Sequence, residues 1–306
     1  MKGINSITKL KGRKTTILFS ILVISLLTLI IPGKALATTP GGIYLTGHDP
    51  DFHAYFGASN PAGAQHIIQD AIKYVTFNKV NPKILLVMDV SDPGGGFSDP
   101  RFGMVASGFV SFDVADYGSG APGIKDLHTV VFSNYDVVVV ASDFGGWLRQ
   151  SELDVLNSRS ADIINFLNAG GGVVAFAESG QGGLTTHNQF KFLPFVVSTL
   201  PVNAFESGNT VTPLGTSIGL TNGDINGNFF HNVFTSGGGM GIVDLDPNNE
   251  ILSLAERGDA VGNGGVTPPT SIPDFPFSYS LVIMFVAVAA VYVAIRQGMI
   301  PNFKRF

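Results

Sequence analysis

No cysteine occurs among the 306 residues. Disulfides, thiolate nucleophiles and cysteine-ligated metals are therefore excluded. Charge is also scarce: Asp, Glu, Lys and Arg make up 13% of the chain, and the formal net charge is -5. No basic stripe interleaved with aromatics appears, so nucleic acid is not an expected partner. Tryptophan occurs once. Charge is missing altogether from two long terminal stretches, residues 17–31 and 275–295.

What is present is apolar. Hydrophobic residues make up 45% of the chain, too many for a disordered protein. Part of that excess belongs to the two ends. Lys2, Lys9, Lys11, Arg13 and Lys14 precede the first uncharged run, Pro32-Gly33 breaks it, and Ala35-Leu36-Ala37 offers small residues at cleavage spacing. This is the pattern of a signal peptide over residues 1–37. At the other end, residues 262–273 form a Gly/Pro/Thr linker and residues 274–296 a span without a polar face. At about 1.5 Å per residue the uncharged run reaches roughly 30 Å, the depth of a bilayer core. Arg296, Lys304 and Arg305 follow, and basic residues stay in the cytoplasm. The expectation is a single-pass protein of the cell membrane, with residues 38–261 folded outside and residues 297–306 inside.

The segment Ile272-Pro273-Asp274-Phe275-Pro276-Phe277, followed by an apolar stretch and a short basic end, resembles the PEF/PEFG-type C-terminal sorting signals of archaeal surface proteins. The resemblance covers about 35 residues and implies a sortase-type processing enzyme as a partner. Asp274 stands where that family has Glu. A permanent transmembrane anchor accounts for the same residues without processing.

Between the ends, strand and helix patterns alternate. Residues 42–46, 83–89, 109–114, 135–142 and 173–177 read as strands, several as unbroken apolar runs such as Val137-Val138-Val139-Val140. Such runs suit strands covered on both faces. Residues 62–78, 100–107 and 151–168 have helical periodicity, the first behind the N-cap candidate Asn60 and Pro61, the last closed by Gly170-Gly171-Gly172. Later strands or short helices are expected at 190–197, 239–244 and 251–255. The alternation predicts an α/β fold with a doubly wound, mostly parallel, flavodoxin-like sheet.

Tyr44-Leu45-Thr46-Gly47-His48, Tyr135-Asp136-Val137-Val138-Val139 and the run from Ile163 through Gly170-Gly171-Gly172 to Phe176 together resemble the class I glutamine amidotransferase-like superfamily, including its ThuA-like relatives. The resemblance covers residues 41–255 and is one of fold. It implies a nucleophile elbow directly after residue 176, where the superfamily's amidotransferases carry a cysteine. Here the segment reads Ala177-Glu178-Ser179-Gly180-Gln181, so amidotransferase chemistry is excluded.

Several groups could carry other chemistry. Ser179 on a tight turn is a nucleophile candidate, with Glu178 beside it and His187 or His231 as base; the same residues equally make a Gly-rich turn with a capping serine. His231 matches the late triad histidine of the resembled superfamily by order alone. In the cluster His48-Asp49-Pro50-Asp51-Phe52-His53, His48, Asp51 and His53 form a candidate divalent-metal set, since imidazole and carboxylate suit zinc; an Asx-turn with local hydrogen bonds is the plainer reading. The Asn/Asp/Gly run 221–227 offers oxygens but not the EF-hand spacing. Trp147 after Gly145-Gly146 is either a stacking platform or a cover for the next helix. Gly94-Gly95-Gly96 lacks the Lys and Ser/Thr of a phosphate loop. Two functions follow: a surface-anchored binding or interaction module without catalysis, or a surface hydrolase using Ser179 or the metal set on a carbohydrate or peptide. The only cofactor indicated is a divalent ion.

Overall fold

The computed structural model describes residues 40–57, 59–91, 98–118, 120–185 and 188–258. The expected signal peptide, linker, membrane span, sorting motif and basic tail lie outside the described residues, as do Gly94 to Gly96 and His187. Among the described residues no helix is long and apolar enough to cross a membrane.

The chain forms an α/β fold around one mixed sheet. Its strands are β1 (Ile43–Thr46), β2 (Ile84–Val87), β3 (Asp113–Asp116), β4 (Lys125–Asp126), β5 (Val137–Val140), β6 (Gly172–Ala175), β7 (Ser198–Phe205), β8 (Thr210–Val211), β9 (Phe229–Ser236), β10 (Gly241–Leu245) and β11 (Ile251–Glu256). The order β4-β3-β2-β5-β6-β1 is parallel throughout. Beyond β1 the sheet turns antiparallel: β11 pairs β1, β10 pairs β11, β8 pairs β10, and the β7–β9 hairpin joins through β11. From β2 the chain first builds outward to β3 and β4, then returns to lay β5 and β6 on the other side. This arrangement is compatible with a doubly wound fold.

The helices are α1 (Pro50–His53), α2 (Pro61–Val75), α3 (Pro100–Ala106), α4 (Gln150–Ser158), α5 (Ser160–Asn168) and α6 (Pro213–Ile218). Every residue of β1, β2, β5 and β6 is buried. Both faces of these strands are therefore covered, which is why they read as continuous apolar runs rather than alternating ones. The four valines of β5 have no exposed surface, and each such side chain stabilises the fold by about 2 kcal/mol. Helix α2 starts where expected: the Asn60 side chain accepts from the Gly63 amide, and Pro61 sits at the first turn.

Three expectations are corrected. The single helix at 151–168 is two, broken at Arg159, whose guanidinium donates to the Leu127 carbonyl at 2.7 Å and lies over the Phe132 ring. The strand at 109–114 sits later, at β3. Residues 229–232, given no strand by the sequence pattern, open the eight-residue strand β9.

One glycine seats the functional end of the molecule. A Cβ on Gly103 in α3 would stand 2.0 Å from the Asp51 carbonyl oxygen. Helix propensity alone predicts that Gly103→Ala stabilises by about 1 kcal/mol. We expect the opposite sign, a loss of about 1–3 kcal/mol from overpacking, read as a lower urea midpoint. A stabilised variant would show that α1 and α3 do not meet this closely.

Candidate metal centre

The carboxyl ends of β1, β5 and β6 carry six buried titratable side chains, His48, Asp49, Asp51, His53, Asp143 and Glu178. After β1, Asp49 stands at the N-cap position of α1 without a side-chain capping bond, and Pro50 takes the first turn. That short helix fixes the spacing: Asp49 and His53 lie four residues apart, so their side chains share a face. Strand β9 crosses this end. His231 donates its amide to the Gly47 carbonyl at 2.7 Å, and Phe230 forms a β-bridge with His48. Two segments far apart in sequence thus place Asp49, His53 and His231 together, all buried, with one ligand atom from each inside a 4.8 Å span.

The three side chains face one another without satisfying one another. Asp49 Oδ1 lies 3.3 Å from His53 Nε2, and Asp49 Oδ2 lies 3.3 Å from His231 Nε2. Neither contact has hydrogen-bond geometry, so both Asp49 oxygens, both His53 nitrogens and His231 Nδ1 are buried without a hydrogen bond. An unmet buried polar group costs about 1–3 kcal/mol. Two N or O atoms each about 2.05 Å from a tetrahedral zinc ion stand about 3.3 Å apart. Each of the two Asp49–histidine separations has the length of one such edge, His53 facing Oδ1 and His231 facing Oδ2.

The protonation states suit a cation. Burial lowers the pKa of His231 to about 4, against the pull of Asp143 and Glu206. Burial likewise lowers that of His53, opposed by Asp49. Both imidazoles are then neutral at pH 7, as metal ligands must be. Burial, reinforced by Asp51 and Glu206, pushes the Asp49 carboxyl well above its ordinary range, against the nearby His53. A divalent ion would reverse that shift. Room for the carboxylate comes from Gly145, whose φ of +83° is strained for other residues and whose Cβ would meet Asp49 Oδ2 at 2.4 Å.

The expected metal set was His48, Asp51 and His53. Only His53 belongs to the observed cluster. His48 is held at both nitrogens, Nδ1 by Glu206 at 2.5 Å and Nε2 by Asp244 at 2.8 Å. Burial alone would lower its pKa, but the two carboxylates outweigh that and raise it to about 10. It is an imidazolium clamp between β1, β10 and the end of β7. Asp51 accepts from the Ser142 amide at 2.9 Å and hydroxyl at 2.8 Å, tying α1 to the loop after β5. Burial still raises its pKa to about 6, despite those bonds.

At the turn after β6, the Ser179 hydroxyl donates to Asp143 at 2.9 Å and accepts from the Gln181 amide at 3.0 Å. Asp143 also accepts the amides of Ser179, Gly180 and Gly182. No hydrogen bond joins Ser179 to His231, whose Nε2 faces Asp49. Ser179 therefore closes a turn organised by Asp143. Glu178 is fully buried, accepts from the Phe190 amide at 2.6 Å, and has its pKa pushed up by burial.

Trp147 is 7% exposed and covers the core, so it offers no stacking face. Asp224 in the 221–227 run is engaged at both oxygens, by His66 and by Thr221. That run supports the start of α2 through Asn60. Comparison with known protein families, with curated proteins and with solved structures returns no match for this chain. The site therefore rests on its own geometry. The sequence cluster His48 to His53 contains Asp49, but no motif there assigns it a role. The signal that finds it is the i, i+4 spacing of Asp49 and His53 once Pro50 is taken as a helix start.

Proposed function

We propose that this protein is exported and held at the outer face of the cell membrane, and that its α/β domain works through a divalent-metal centre at Asp49, His53 and His231. The observation that carries the reading is the convergence of three buried side chains, one ligand atom from each within 4.8 Å, with both Asp49 oxygens and His53 Nε2 left without a hydrogen bond. Two imidazoles and one carboxylate form the donor set of catalytic zinc sites, which keep a position open. Bound there, the ion would supply Lewis-acid polarisation and a water acidified toward neutral pH. Of the two expected functions, these observations favour the surface hydrolase, in a metal-assisted form rather than one built on Ser179, over the binding module without catalysis. The amidotransferase-like resemblance of the sheet and the resemblance of the C-terminal segment to a sorting signal belong to the same proposal.

The test is metal content. After dialysis against zinc, the full chain should hold about one equivalent. Asp49→Ala and His231→Ala should hold none, and Ser179→Ala should hold as much as the wild type. A wild-type chain as metal-poor as the two ligand variants would overturn the reading.

A further inference from the structure

The surface beside the metal centre is built from aromatic rings. Tyr55, Phe56 and Phe102 are 60%, 51% and 49% exposed, and Phe205 and Phe229 are 50% and 38% exposed. They come from the end of α1, from α3, from the end of β7 and from the start of β9. The rings form contacts leading to a proposed ligand of the ion. Phe205 meets Phe229 edge-on at 5.3 Å, and Phe229 stacks over His53 at 6.3 Å. On the other side of His53, Phe52 lies at 5.0 Å and leads to Phe56 at 5.4 Å. Tyr55 and Phe102 pair at 4.9 Å. Exposed aromatic groups of this extent mark binding surfaces.

Charge narrows the occupant. The described residues of 54–60, 200–205 and 226–230 carry no ionisable side chain except Tyr55. In α3, Arg101 is held by Asp99 through its Nε and Nη2. The rings thus offer flat apolar faces and no cationic partner for a phosphate or a carboxylate. The two ends of the described domain lie away from the rings. Pro40 precedes β1, and β11 runs antiparallel to β1 with Glu256 opposite Ile43. A Cβ on Gly258 would stand 2.5 Å from the Pro40 carbonyl oxygen. Both ends of the described domain therefore emerge at the amino end of β1, whereas Asp49 and the rings sit at its carboxyl end.

We infer that the aromatic wall is the docking face of the metal centre and that it receives an uncharged glycan, whose hexose units present C–H faces to the rings and hydroxyls to solvent. The inference rests on the metal reading for what happens to the ligand, but not for its docking. Electrophoresis of the full chain in native gels containing neutral polysaccharides (an α-1,4-glucan, a β-1,4-glucan and an α-mannan) tests it. At least one should retard the wild type. Tyr55→Ala/Phe205→Ala should weaken that retardation roughly ten-fold or more, the loss expected on removing stacked rings, while still taking up zinc as the wild type does. Asp49→Ala should lose zinc and keep its retardation. Retardation by none of the three, or retardation undiminished in the double ring variant, would refute the glycan assignment. Retardation by none, together with ring-dependent binding of an aromatic-rich peptide, would refute it in favour of a protein partner.

Discussion

Replacing His48 by Gln is expected to cost about 3–5 kcal/mol of stability, the usual loss when one partner of a buried ionic group is removed. The imidazolium stands between Glu206 and Asp244, all three shielded from solvent. Glu206 Oε2 also accepts the Asn228 amide at 3.0 Å, so the clamp anchors the β7–β9 hairpin to the rest of the sheet. Without the cation, two carboxylates remain buried with no opposite charge. The triple substitution His48→Leu, Glu206→Gln, Asp244→Asn should recover much of the loss, because coupled sites do not add. The pH dependence has a definite sign. The folded-state pKa lies above the ordinary 6.5, near 10. The clamp's contribution is therefore complete below about pH 6.5 and is lost as pH rises toward 10. Urea unfolding from pH 6 to 10 should show a falling alkaline limb in the wild type that is absent from His48→Gln. A loss below about 1 kcal/mol at pH 6 in that variant would contradict the clamp.

Zinc bound at Asp49, His53 and His231 should stabilise the domain. Without metal, His231 resists protonation down to about pH 4 in the folded state, whereas the unfolded chain takes that proton near 6.5. A lowered folded pKa of this kind stabilises the protein above pH 6.5. The benefit, about 3 kcal/mol at full extent, is lost as pH falls from 6.5 to 4. His53 is shifted in the same direction and adds to it. Saturating zinc, at about a thousand times its dissociation constant, should add about 4 kcal/mol at neutral pH. It should do so with release of a proton, since Asp49 must ionise to coordinate. Calorimetry in buffers of different ionisation enthalpy would detect that proton. In His231→Ala the zinc-dependent gain should vanish and the acid limb should flatten. A gain unchanged by that substitution would place the ion elsewhere.

The core of the fold was legible from residue order. β2, β5 and β6 are apolar runs because their neighbours cover both faces, and α2 announces itself through Asn60, Pro61 and a clear period. The antiparallel half was harder to read. β9 is broken into polar and aromatic residues, and one of its ends faces the site rather than the core. The Asn228 side chain bonds Asn60 there, and its amide bonds Glu206, so its polar pattern records tertiary partners rather than a loop.

The sequence by itself determined which chemistries were open. The lack of cysteine removed thiol and disulfide chemistry, and the histidine and aspartate side chains left oxygen and nitrogen donors for a hard or borderline cation. It also placed the sheet's central strands, because burial on two faces leaves a local signature. Only the tertiary structure decided which donors converge. His48 and His53 are near neighbours in the chain, yet one is an ion-paired clamp and the other a free imidazole. That difference depends on Glu206, Asp244 and His231, brought in from strands more than 150 residues away. Long-range pairing of this kind leaves no periodic trace in the chain, so no local pattern could have revealed it.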